Sequence, residues 1–141
     1  MLEEVLHDLL VGAVSSGVTL LVLHLYRQRM YRARFGWLAG TYVHETVGGD
    51  RIGSGETVIA HVGRNLLSTQ GARGDGGWSG RLTMAEDAPE FGSGFYQYED
   101  RLDCGRHEVQ VLPDRRRIVV RGANTSHDEE RRFSVVWRRI D

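Results

Sequence analysis

The feature that most constrains this chain is an uncharged run near its N-terminus. Leu9 to Tyr26 reads LLVGAVSSGVTLLVLHLY, with no formally charged residue between Asp8 and Arg27. As an α-helix it is roughly 27 Å long, enough for a thin hydrocarbon core. Ser15, Ser16 and Thr19 soften the run, but hydroxyls in such a helix bond back to carbonyls one turn earlier. Glu3, Glu4 and Asp8 precede it; Arg27, Arg29, Arg32 and Arg34 follow. Loop arginines stay on the cytoplasmic side, so the expected topology is N-terminus out and the remainder in the cytoplasm. Tyr26, Tyr31 and Trp37 fall where interfacial aromatic residues sit. A secretory signal would carry a basic start and a small-residue cleavage site; this segment has neither. A buried core helix is the stronger rival, because the run is short. Gly12/Ser16 and Ala13/Gly17 are small residues four apart, spacing that lets two membrane helices pack closely and suggests a homo-oligomer.

The 141 residues carry a net charge of −1 and one cysteine, Cys104. That balance argues against gripping a nucleic acid polymer by bulk charge. A single thiol excludes an internal disulfide and a multi-thiolate metal site. All the basic residues are arginine.

From Phe35 onward glycine is frequent and short alternating runs replace any helical period. Expected strands are Leu38–Thr46, about Glu56–Arg64, Leu66–Thr69, Trp78–Ala85, Gly94–Asp100, His107–Leu112, Arg116–Gly122 and Arg131–Ile140. Gly71–Gly77 reads as a turn-rich loop and His127–Glu130 as a polar hairpin loop. A hairpin turns at Pro113-Asp114, with Val109, Val111, Ile118 and Val120 facing inward. Eight strands joined by short connections favour an up-and-down β-barrel, which also removes exposed sheet edges. The organisation expected is a membrane anchor with its basic segment over 1–34 and an all-β barrel domain over 35–141.

No HExxH, CxxC, GxSxG or Walker pattern is present, and the six histidines are scattered. The expectation is therefore no enzyme, no catalytic residue, no metal and no cofactor. Candidate ligand-binding residues are Trp78, Tyr96, Tyr98 and Trp137, which share inward parity. Their rings, with polar tips, suit a cavity lining as well as a plain core. Arg121 and Arg138 complete the set. Their parity is outward, and a one-residue slip would turn them inward to meet an anionic ligand.

An N-terminal span, a basic stretch after it and a compact barrel together resemble the membrane-tethered β-barrel effectors of bacterial CBASS-type anti-phage signalling. Gly36-Trp37, Gly40-Thr41-Tyr42 and Val136-Trp137-Arg138 are similar to lipocalin-like barrels. The resemblance implies a bacterial inner-membrane protein with a cytoplasmic barrel that binds a cyclic nucleotide and acts through its membrane helix. Those effectors usually have two spans; this chain has one. The alternative is a tethered interaction or scaffold domain with a filled core.

Overall fold

The computed structural model describes residues 2–46, 55–73, 76–99, 104–126 and 129–141. One long helix, α1 (Leu2–Phe35), leads through a short 3-10 turn (Gly36–Leu38) into eight strands: β1 (Gly40–Thr46), β2 (Gly55–Gly63), β3 (Leu66–Arg73), β4 (Gly76–Met84), β5 (Phe91–Tyr98), β6 (Cys104–Val111), β7 (Arg117–Ser126) and β8 (Glu129–Arg139). They close in sequence order into an antiparallel up-and-down barrel.

The uncharged run of the helix is apolar all round, and Leu9, Leu10, Val14, Val18, Leu21 and Leu25 are all more than half exposed, so no face of that run packs on the barrel. The core-helix reading is set aside by that exposure. The helix is long and apolar enough to cross a membrane. Its hydroxyls bond back as expected, Ser16 Oγ to Gly12 O at 2.8 Å and Thr19 Oγ1 to Ser15 O at 2.9 Å. His24 receives the Gln28 side-chain amide at 2.9 Å, one turn on.

Closure comes from β1 pairing with β8, from Tyr42 opposite Arg139 to Thr46 opposite Val135. Alternation along each strand then sorts residues into a barrel interior and a solvent face. β2 buries Gly55, Thr57 and Ile59, and β6 buries His107, Val109 and Val111. Because the strands are antiparallel, the barrel has two distinct ends. The helix enters at the end where β1, β3, β5 and β7 begin.

That end is sealed by apolar packing and a short bond network. Phe35 and Leu38 are buried with Tyr42, Ile59, Leu67, Leu82 and Ile118. Tyr42 donates its hydroxyl to Leu38 O at 2.9 Å. Burial, offset in part by Arg139, pushes that phenol up to about 12. Trp37 donates Nε1 to Arg34 O at 2.7 Å, and Arg139 Nη1 donates to Trp37 O at 2.6 Å. Arg139 Nε reaches Asp141, whose carboxylate also accepts from Thr41 N. The last helical turn and the end of β8 are thus bonded through Trp37.

Two sequence expectations change. Gly71–Arg73 lies inside β3 and Gly76-Gly77 inside β4 rather than in a loop, and Gly74 and Asp75 lie outside the described residues. Glu129 and Glu130 belong to β8 rather than to a hairpin loop. His127 and Asp128 lie outside the described residues.

The glycines belong to strands because they face large rings. Gly71 is opposite Trp78, Gly105 opposite Tyr96 and Gly122 opposite Phe133 on neighbouring strands. A methyl added at Gly122 would stand 2.5 Å from Phe133 Cζ, and methyls at Gly71 or Gly105 would be closer still to their rings. Each ring therefore lies over bare backbone, the device by which a small barrel curves sharply and still fills its interior. Gly105→Val is expected to lower stability by about 1–3 kcal/mol through overpacking against Tyr96. Urea melts check this, and wild-type stability would contradict it.

Candidate functional site

Beyond the aliphatic layer at the helix end, the interior becomes aromatic and polar. Trp78 and Trp137 stack with ring centroids 6.0 Å apart. Tyr96 meets Trp78 edge-on at 5.9 Å, Tyr98 at 5.8 Å and Phe133 at 6.1 Å. His107 lies 5.7 Å from Tyr96 and 6.2 Å from Trp137. His44 stacks on Trp137 at 5.7 Å, and its Nε2 bonds Thr57 Oγ1 at 2.6 Å. Trp78, Tyr96, His107 and Trp137 are buried, whereas Tyr98, Phe133 and Asn124 are half-buried toward the far end.

This layer holds polar atoms that are shut from water without a partner: Thr69 Oγ1, His107 Nε2, Asn124 Oδ1 and Trp137 Nε1. An unpaired buried polar group costs about 1–3 kcal/mol, so each marks a place where a further donor or acceptor is favoured.

The structure brings four of the expected site residues together: Trp78, Tyr96, Tyr98 and Trp137. It does not bring Arg121 or Arg138 to them. Both are exposed, and the β7–β8 register continues from Arg117–Arg138 to Ser126–Glu129 without a bulge. Arg138 pairs outside the barrel with Glu45 of β1. No slip turns either guanidinium inward, so the interior layer receives no cation from them.

Sequence reasoning missed His107, His44, Thr57, Thr69 and Asn124. The signal for His107 was present: it shares the parity of Val109 and Val111 on β6. Scatter along the chain hid the fact that closure brings β1 and β6 residues around one pair of indoles.

No family model matches this sequence, and no curated protein matches it. Among solved structures, the chain is similar to a redesigned beta barrel, with a TM-score of 0.63 and 17% identity, over 79% of this chain and 98% of that one. At that identity the likeness concerns the fold. The class defined here is thus a closed eight-stranded barrel with one long apolar N-terminal helix.

Burial lowers the His107 imidazole to about 4, from an ordinary 6.5. The unfolded chain takes up a proton near pH 6.5 that the fold refuses until about pH 4. Stability is therefore expected to fall as pH drops between those values, then level off, by about 3 kcal/mol from this group. In His107→Leu that part of the pH dependence disappears. Denaturant melts at pH 7 and 4.5 decide it; the same slope in both proteins would contradict this role.

Proposed function

We propose that the protein is a membrane-anchored, non-catalytic binding module whose barrel takes a small ligand at the end remote from its helix. The observation that supports this reading is the set of unpaired buried polar atoms within the aromatic layer. Trp137 Nε1 offers a donor, and Thr69 Oγ1 offers both a donor and an acceptor. The indole and phenol faces favour a flat ligand with hydrogen-bonding edges. The apolar helix serves as the anchor, holding the barrel's other end toward the bilayer.

A cyclic oligonucleotide is the second reading, favoured by the combination of one apolar helix, a basic stretch and a compact barrel. Anti-phage signalling would follow from it. Because Arg121 and Arg138 lie outside, its bases rather than its phosphates would meet the interior layer. A scaffold is favoured instead by the ring packing, which leaves Trp137 only 3% exposed and Trp78 only 8%.

The test is a titration of the full chain in lipid nanodiscs, read by tryptophan emission, with cyclic di- and trinucleotides and with uncharged heteroaromatic compounds. The expected result is saturable binding by one class. Trp137→Phe, which keeps a ring but loses the N–H, is expected to weaken it about tenfold. Silence across both panels would contradict ligand binding and leave the scaffold reading.

A further inference from the structure

We propose that the helix end of the barrel is a docking surface for anionic phospholipid headgroups, so that the barrel lies against the bilayer rather than hanging free of it. This rests on the anchor reading above but not on any ligand in the barrel. The first support is distance. The apolar run ends at Tyr26, and Arg27 to Phe35 adds only about 13 Å of helix. The headgroup zone is itself roughly 5–8 Å deep on each side. Phe35 is already buried in the barrel, so the barrel base begins just outside the phosphates.

The second support is charge. Three hairpin turns lie at this end, and two of them each place an arginine over an aromatic ring of the helix or of the 3-10 turn after it. Arg115, in the β6–β7 turn, lies over Trp37 with its guanidinium carbon 5.1 Å from the ring centre. Arg64, in the β2–β3 turn, lies 5.7 Å from the Tyr31 centre. The acids here are largely engaged: Glu86 with Arg64, Asp114 with Arg117 and Asp141 with Arg139. Among the described residues Arg27, Arg29, Arg32, Arg115 and Arg116 pair with no carboxylate, against Asp87 and Glu90 as the remaining acids. The surface is therefore cationic after internal pairing.

The third support is the apolar content. Val62, Phe91 and Ile140 are 61%, 45% and 50% exposed around the same end. Exposed apolar side chains beside free guanidinium groups and two aromatic rings are the composition that an anionic interface favours. Each arginine brought to such a surface raises partition by roughly fivefold.

Arg115 also gives a clean variant. Its φ is +55°, in the left-handed region where glycine is preferred, and Leu112 O accepts its N–H at 2.9 Å. Arg115→Gly removes the charge while suiting that backbone. The experiment is hydrogen exchange of the full chain in nanodiscs of phosphatidylcholine alone and of phosphatidylcholine with phosphatidylglycerol. In anionic discs, exchange over 62–66 and 112–117 is expected to slow by about fivefold or more. The slowing is expected to vanish in 0.5 M salt, on the order of the strength that cuts the Debye length to a few ångströms. It is also expected to weaken in Arg115→Gly and further in Arg115→Gly/Arg116→Gln. Equal exchange in both lipids by the unmodified chain, with residues 9–26 protected, would overturn docking and leave the anchor intact. Loss of protection over 9–26 would overturn the anchor and docking with it.

Discussion

Everything else in this structure depends on the pairing of β1 with β8. Five register pairs from Tyr42–Arg139 to Thr46–Val135 close the sheet. Closure removes the exposed edges of the first and last strands and creates an interior. It also fixes which end of the barrel the helix enters, since β1 begins two residues after the 3-10 turn that follows Phe35. With a small circumference, the interior accommodates three of its large rings over facing residues that have no side chain. They are Trp78 over Gly71, Tyr96 over Gly105 and Phe133 over Gly122. The same closure brings His44 and His107, far apart in sequence, to Trp137.

The barrel is polarised along its axis. At the helix end the interior is mostly aliphatic and tied to the 3-10 turn after the helix by the Trp37–Arg139 and Tyr42–Leu38 bonds. Toward the other end it becomes aromatic, with unpaired polar atoms and a half-buried rim of Tyr98, Phe133 and Asn124. A molecule that uses one end for attachment has the other free for recognition. The proposed ligand site and the proposed headgroup surface divide the two ends in that way. The arginine–aromatic contacts and the bonds through Trp37 span the joint between helix and barrel.

Much of the fold was legible in the sequence, because parity survives small errors in strand bounds. Val109, Val111, Ile118 and Val120 face inward as their alternation requires, and the uncharged run Leu9–Tyr26 lies within one unbroken helix. Gly71, Gly76 and Gly77 were misread as loop because glycine signals turns locally. Only the facing strand reveals that Gly71 makes room for Trp78. The site was half legible. The four aromatic residues come together, but histidines and threonines on different strands carry no local sign that they share an interior. Arg121 and Arg138 show the limit of the slip argument: an unbulged β7–β8 ladder keeps both outside, and Glu45 holds Arg138 there.

On this account the apolar helix is the membrane anchor, and the barrel folds without its membrane-crossing part. Carbonate washing of membranes from cells expressing the full chain, beside a version starting at Tyr31 that keeps the Tyr31–Phe35 stack, tests it most directly. The full chain is expected to stay with the membrane pellet. The shortened one is expected in the soluble fraction, with the circular dichroism of a β-protein. A full chain released by carbonate, or a shortened chain that is unfolded, would contradict it.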